Sequence, residues 1–453
     1  MDFQTGTSNR SQRKRIAVIG SGISGLSAAW LLDQSADVTL FEADNRLGGH
    51  ANTVSVDLPG KDTIAVDTGF IVYNERNYPN LVAIFKHLGV ETTASDMSFA
   101  ASISGGRLEY SGSNISGLFG QRSNLLRPRF WRMVRDVMRF YKTAPNLLND
   151  GSLEGVSLGD YLDQNNYSQS FIDDHLLPMG AAIWSTTASD MRAYPLQAFI
   201  RFFVNHGLVQ LADRPQWRTV KGGSREYVSR IKAQFKGTVV VNSQIAAIRR
   251  DGDGVKLLDR SGLMSAFDDV VIATHSDQAL ALLGDADSDE RAVLGAFEYT
   301  RNTAVLHSDI NLMPKRRNVW SSWNYLSEPG SLGTEQLCVT YWMNRLQNID
   351  DATPLFVTLN PSRPIDPAKL IRTFDYAHPL FDTKALEAQK LLWSLQGRRN
   401  TWFCGAHFGS GFHEDGLQSG LAVAEALGGV KRPWTVENES GRILLTPEKV
   451  LAQ

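Results

Sequence analysis

The apolar positions change rhythm several times along the chain, and each change predicts an element. Residues 14–19, KRIAVI, form a short apolar run that stops in GSGISG, and LSAAWLLDQS then carries helical spacing. ADVTLFEAD, residues 36–44, is a second apolar run ending in acidic residues. Strand, glycine turn, helix and strand in this order predict the opening of a doubly wound α/β sheet. Residues 77–90, NYPNLVAIFKHLGV, predict a helix stopped by glycine. From about 95 to 215 longer amphipathic segments take over. Beyond 218 the strand pattern returns, with a turn and helix in KGGSREYVSRIKAQF, a strand pair around DGDG and an interior strand in DDVVIAT, 268–274. Residues 300–390 mix strands (TAVLHS, EQLCVTYWM, PLFVTLN) with proline-rich connections, and the last unit is TWFCGAHF, a glycine-rich stretch and a helix from about 416 to 427.

Dinucleotide-type pieces thus fall at 14–94, 216–298 and 396–453. A mainly helical cap or substrate domain is expected at 95–215, its mixed-sheet second part at 299–395, and a disordered segment at 1–13. A length of 453 residues agrees with two domains. The net charge of −2 gives no pull toward nucleic acid. Cys338 and Cys404 read as surplus cysteines of a reducing cytosol. No apolar run precedes the first strand and none reaches the length of a spanning helix, so neither a secretory leader nor a membrane span is expected. The expected location is cytoplasmic, with peripheral contact at the inner face of the membrane left open.

Gly20, Gly22 and Gly25 occupy the three positions of GxGxxG, with Ile23 and Ser24 between them. The first permits a tight turn, the second lets a pyrophosphate approach the backbone, and the third lets helix and strand pack closely. Glu42 ends the next strand, where a carboxylate accepts the hydroxyls of an adenosine ribose and disfavours a 2′-phosphate. FAD or NAD is therefore preferred over NADP. CxxC and HExxH spacings are missing, so no metal is expected, and no Ser-His-Asp arrangement stands out.

Arg46-Leu47-Gly48-Gly49 directly after the acidic strand, followed by Asp67-Thr68-Gly69, resembles the opening of the flavin-containing amine oxidases, phytoene desaturases and protoporphyrinogen oxidases. The resemblance implies a Rossmann-type FAD-binding domain of the glutathione-reductase-like, amine oxidase type, with an inserted mixed substrate domain. It implies FAD beside Ala43, Arg46, Leu47, Gly48 and Gly49, and beside Thr68, Gly69 and Phe70. VNSQIAAIRR and DDVVIAT are similar to that superfamily's middle segment, which puts Ile245 at the adenine side and Thr274 near the pyrophosphate. The final segment, Gly405 and then Glu414-Asp415-Gly416-Leu417, would turn a helix N-terminus toward the flavin pyrimidine. Two departures stand out: His50 takes a place that is often Arg, and Ala406 stands where an acid often follows the glycine, leaving His407 or a water to substitute.

GFHEDGL, TYWMNRLQ, VTLNP and AHPLF resemble a narrower bacterial group of NAD/FAD-binding, amine-oxidase-like proteins. Its members tend to be encoded near enzymes similar to cyclopropane fatty acid synthases, which suggests a lipid-methylating enzyme as functional neighbour. The residues themselves leave the reaction open. Trp320, Trp323, Tyr325, Tyr341 and Trp342 are candidate rings beside flavin, or core residues, and His407 with His413 is a candidate proton relay. Residues 122–142 carry seven basic residues and one acid, with Arg132, Arg135, Arg139 and Lys142 on one helical face and Trp131, Val134, Val137, Met138 and Tyr141 on the other sides. Such a helix could lie on an anionic membrane, meet a protein partner, or pack as a solvated cap. DHLLPMGAAIWS and YPLQAFIRFFVNHGL could line a greasy tunnel or a core.

Together these readings predict a FAD-dependent oxidoreductase taking hydride from a fatty-acyl or phospholipid substrate, its electrons passing to oxygen or a respiratory acceptor. Tyr341, His413 and Glu414 are the candidate polar residues at the reacting centre. The alternatives are an oxidase of small amines, a non-catalytic FAD-binding accessory protein in lipid modification, and a reduced-flavin isomerase.

Overall fold

The computed structural model describes residues 13–445 apart from 58, 59, 61, 149–152, 154, 185, 211–213, 253 and 329–337. The segment expected to be disordered, but for residue 13, and position 253 of the DGDG turn lie outside the described residues. The chain divides into two compact units, one of residues 1–49, 231–295 and 391–453, the other of residues 50–230 and 296–390.

The first unit is built on five parallel strands: β1 (Arg15–Ile19), β2 (Asp37–Phe41), β3 (Thr238–Val240), β4 (Asp269–Ile272) and β5 (Thr401–Phe403), in the order β3-β2-β1-β4-β5. The central strands read as unbroken apolar runs because both faces are covered. Helix α1 (Ile23–Leu32) is buried at all ten positions, which is why ISGLSAAWLL shows no polar face. It packs on α2 (His413–Gly428), and a Cβ at Gly420 would stand 2.2 Å from the Ser24 carbonyl oxygen, so only glycine allows this approach. A three-stranded antiparallel sheet, Ile245–Arg250, Val255–Asp259 and Met264–Phe267, completes the unit together with the buried Arg250–Glu290 pair.

The second unit holds a mixed seven-stranded sheet, in which Trp323–Leu326 runs parallel to Phe99–Ile103 and the other pairings are antiparallel. Helices from Pro128 to Asn205 and two small antiparallel sheets add to it. The sequence-based boundaries at 94 and 216 differ from the observed crossings at 49 and 230. The reason is pairing. Thr53–Val56 and Ile64–Asp67 form a hairpin, and Thr92–Ser95 and Tyr73–Asn74 pair with Trp217–Val220, all within the second unit. The stretch expected to be mainly helical also supplies two strands of the large sheet, Phe99–Ile103 and Leu108–Ser111.

The two apolar segments considered for a tunnel pack on themselves: Trp184 lies 4.7 Å from both Tyr194 and Phe202, and Phe199 stacks on Phe203 at 4.1 Å. Among the described residues no helix is long and apolar enough to cross a membrane.

Candidate functional site: a dinucleotide cradle

The site is assembled where β1, β2, β4 and β5 end, the edge at which open α/β sheets take their ligands. Gly20 leaves β1 with φ of +98°, and a Cβ there would stand 2.9 Å from the Ala273 carbonyl oxygen. At Gly25 a Cβ would lie 1.9 Å from the Gly20 carbonyl oxygen, so helix and strand touch backbone to backbone. Gly22 differs from both, because a Cβ there would meet nothing within 4 Å. Its N-cap position on α1 has no side-chain cap, so the first-turn N–H groups stay available to an anion.

Glu42 follows β2, and its carboxylate accepts from the Ser21 amide and hydroxyl and from the Asp44 amide. Three donors against four lone-pair sites leave room for a ribose hydroxyl. The connection from β3 to Ile245 runs alongside, with the Ser243 amide donating to the Glu42 carbonyl at 2.8 Å. Arg46 donates to the Gly49 carbonyl at 2.8 Å and so shapes its own loop, in which Leu47 is half-buried. The Gly48 amide donates to the Ser21 carbonyl at 3.0 Å, and a Cβ at Gly49 would stand 3.1 Å from the Gly22 Cα. Ala43 is exposed beside this loop. Thr274 lies between Gly20 and Gly405, within 3.5 Å of a Cβ built on either.

The last segment brings α2 to the same place, since a Cβ at Gly416 would lie 2.9 Å from Ile23. Gly405 is fixed by Ser419, which accepts from its amide at 3.0 Å and donates to its carbonyl at 3.1 Å. Asp415 is fully buried, accepts from the Ser410 and Phe412 amides, and meets Arg442 at 2.6 Å. Burial raises its carboxyl, and Arg442 opposes the rise. This carboxylate therefore orders the glycine loop. Glu414 accepts from Gln418 at 2.9 Å, and Leu417 is buried. Desolvation lowers His407 and half-buried His413 each to about 3, His275 reinforcing the effect on His407, so both imidazoles are neutral at pH 7.

The open glycine, the uncapped helix start, the acidic strand end and the adjoining α2 N-terminus fit FAD. Gly20, Gly22, Ile23, Ser24, Gly25, Glu42, Ala43, Arg46, Leu47, Gly48, Gly49, Ile245, Thr274, Gly405 and the residues from Glu414 to Leu417 all belong to this unit. The candidate reacting residues His413 and Glu414 do as well.

Thr68, Gly69, Phe70 and Tyr341 belong to the second unit. There the Thr68 hydroxyl bonds Tyr376 at 2.8 Å, a Cβ at Gly69 would stand 2.2 Å from the His50 carbonyl oxygen, and Phe70 meets Tyr227 edge-on. Four of the five candidate rings separate into two groups, and the fifth, Tyr325, is buried in the strand Trp323–Leu326. Trp320 and Trp342 pack with Met313 and Phe356 as core. Tyr341 stands perpendicular to Trp323 at 4.9 Å, and the Trp323 indole N–H has no partner among the described residues.

Sequence reasoning missed two features of the second unit. Asp67, 1% exposed, accepts from the Ser224 amide and hydroxyl, the Thr53 hydroxyl and the Gln347 amide. An open pocket of about 830 Å³ is lined by Asp96, Trp342, Arg345, Asp350 and Asp351 among others. The partners of Asp67 lie 14, 157 and 280 positions away, so no local pattern announces them.

Comparison with known proteins agrees with this geometry. Residues 23–345 match the family profile described as flavin containing amine oxidoreductase. A Mycobacterium tuberculosis protein provisionally named flavin-containing monoamine oxidase AofH is 26% identical over 262 residues, 55% of each chain. The chain spans about half, or less, of the length of the curated relatives it matches. Among solved structures, cyclohexylamine oxidase from Brevibacterium oxydans superposes with a TM-score of 0.65 at 16% identity, over 92% of this chain and 99% of that one. A conjugated-linoleic-acid-producing (CLA-producing) fatty acid isomerase from P. acnes superposes with a TM-score of 0.62 at 17% identity, over 91% and 98%. Both likenesses show a shared α/β FAD-binding fold.

Proposed function

The chain belongs to the flavin-containing amine oxidoreductase family, and from that premise we propose that it is a FAD-dependent oxidoreductase whose substrate is a small amine. The observation that carries this reading is the extent of the family match. Residues 23–345 run far beyond the nucleotide cradle and through most of the second unit, so the likeness is not confined to cofactor binding. The amine thereby takes precedence over the acyl chain expected from the sequence.

When bound, FAD would supply a two-electron acceptor for hydride from the carbon that bears the nitrogen, and the iminium so left is hydrolysed by water to a carbonyl and an ammonium ion. The chain's own residues set the conditions. Gly22 and the first turn of α1 would hold the pyrophosphate, and Glu42 the ribose. Neutral His407 and His413 place no positive charge against a basic substrate. In the second unit, the perpendicular rings of Trp323 and Tyr341 offer π faces to an amine and its apolar body.

The test is an anaerobic visible-spectrum titration of the FAD-loaded protein with small monoamines, polyamines and phospholipids in parallel. Loss of the long-wavelength flavin band with an amine, and a fall of about tenfold or more in kcat/KM for Trp323→Ala, are the expected results. Bleaching by a lipid alone would overturn the amine reading in favour of acyl-chain dehydrogenation. A band that nothing reduces would leave the accessory and isomerase readings.

The lipid reading stands second because of one observation: large apolar and basic side chains share an exposed face around the Pro128–Leu147 helix. On that reading the chain would join the narrower bacterial group whose members tend to be encoded near enzymes similar to cyclopropane fatty acid synthases.

A further inference from the structure

Thirteen large apolar side chains are exposed among the described residues, and five of them fall between residues 115 and 138: Ile115, Leu125, Leu126, Trp131 and Met138. Isolated exposed apolar residues are ordinary, whereas a cluster needs a cause. The elements that carry these five are tied to one another. Phe119, four positions after Ile115, packs on Trp131 at 5.7 Å. The Trp131 indole donates to the Leu125 carbonyl at 2.9 Å, which ties the Arg122–Leu126 turn to the helix that follows. Met138 stands seven positions after Trp131, two helical turns on the same side. Leu126 is 87% exposed.

The helix has its own core face elsewhere. Phe130, Met133, Phe140 and Ala144 are buried, so Trp131 and Met138 share the solvent face with the arginines and do not oppose them as the sequence suggested. Pro128 sets the helix start, and the residues before it form a 3-10 turn.

The charge on this face is of one sign. Arg122, Arg132, Arg135, Arg139 and Lys142 are exposed. The single acid of residues 122–142, Asp136, is buried, accepts from the Ser168 amide at 2.8 Å, and lies 3.5 and 3.7 Å from Arg135 and Arg139. Arg129 is held by Asp174 at 2.7 Å. Arg132 and Lys142 have no carboxylate partner among the described residues. A protein interface depletes charge from its core and sets acids against bases. Apolar side chains interleaved with a large excess of cations instead suit a surface with phosphates at its level and acyl chains just beneath.

We propose that residues 115–142 form a reversible docking face for an anionic phospholipid bilayer. Leu125, Leu126 and Trp131 enter the headgroup–acyl boundary, while Arg122, Arg132, Arg135 and Lys142 meet lipid phosphates. Neither signal holds a protein alone, and the two together make a weak, salt-sensitive attachment. The proposal does not depend on which substrate the flavin site oxidises.

The experiment is flotation of the FAD-loaded full chain with phosphatidylcholine vesicles, pure or with about one third phosphatidylglycerol, at low and raised salt. Binding to the anionic vesicles, weakened by salt, is expected. Arg132→Ala and Lys142→Ala each reduce partitioning about fivefold, and Leu126→Glu removes it. All three positions are exposed, and an unchanged flavin spectrum shows that each variant is folded. No flotation of the wild type, equal binding to both vesicle types, or variants that float as the wild type does would each overturn the proposal. So would a dimer that dissociates in Leu126→Glu, since the face would then be covered by a second copy.

Discussion

The cradle of the first unit leaves its hydrogen-bond donors open, whereas a buried carboxylate of the second, Asp67, is closed by its own chain. At Gly22 the backbone faces space and the first turn of α1 has no side-chain acceptor. Asp67 is met by Ser224, Thr53 and Gln347. Open donors at a helix start cost little while water reaches them and are ready for an anion. A closed buried carboxylate binds nothing further and works as a clasp between distant segments.

Four substitutions break or sharpen this contrast. The largest effect is expected at Gly25, where Gly25→Val would drive side-chain atoms into the Gly20 carbonyl and cost about 3 kcal/mol or more. The protein should purify without the yellow of flavin and unfold early in a thermal scan.

Asp67 comes next. Burial pushes its carboxyl up to about 6 from an ordinary 3.8, against the opposing hydrogen bonds of Thr53 and Ser224. The folded state thus holds this proton more tightly than the unfolded chain. Stability from this group is greatest below about pH 4 and falls by about 3 kcal/mol as pH rises to about 6. Urea unfolding across that window should lose this downward component in Asp67→Asn. An unchanged slope would show that the clasp is not what titrates.

Gly22→Ala is expected to do the reverse of Gly25→Val. Its Cβ meets open space, so apoprotein stability should shift by less than about 0.5 kcal/mol. FAD affinity should fall about tenfold, by roughly 1.4 kcal/mol, because the methyl occupies the approach to the pyrophosphate. Calorimetric titration with FAD beside an apoprotein melt separates the two numbers. The smallest effect is that of Thr53→Val, about 1 kcal/mol, because its hydroxyl donates to buried Asp67 while the Arg225 amide from which it also accepts is exposed and can turn to water. Removing a donor that lowers Asp67 should also move the stability transition to higher pH.

Legibility followed the same division. The GxGxxG glycines and the acidic end of β2 were legible as a local pattern, because a phosphate-binding turn needs glycine at fixed spacing whatever packs around it, whereas Gly405 rested on the resemblance. The helix at Pro79–Leu88, stopped by Gly89 at φ +67°, was readable for the same local reason. The boundary between units was not, since residues 50–94 pair with partners as remote as residue 220. Nor was the orientation of the basic helix. Its apolar residues number more than one face needs, and only the neighbouring elements select Phe130, Met133 and Phe140 for burial while leaving Trp131 outside. The aromatic run was ambiguous because strand alternation sends successive rings to opposite sides, Trp342 into the core with Trp320 and Tyr341 onto Trp323.

The sequence by itself determined the dinucleotide cradle, because steric permission at a glycine and the direction of a helix dipole are properties of a few consecutive residues, while the choice of flavin rested on the resemblance of three separated segments to a family. Only the tertiary structure decided which carboxylate is clasped, which rings pair and which apolar side chains reach solvent. Those outcomes depend on segments up to 280 positions apart meeting in space, and no local pattern encodes that meeting.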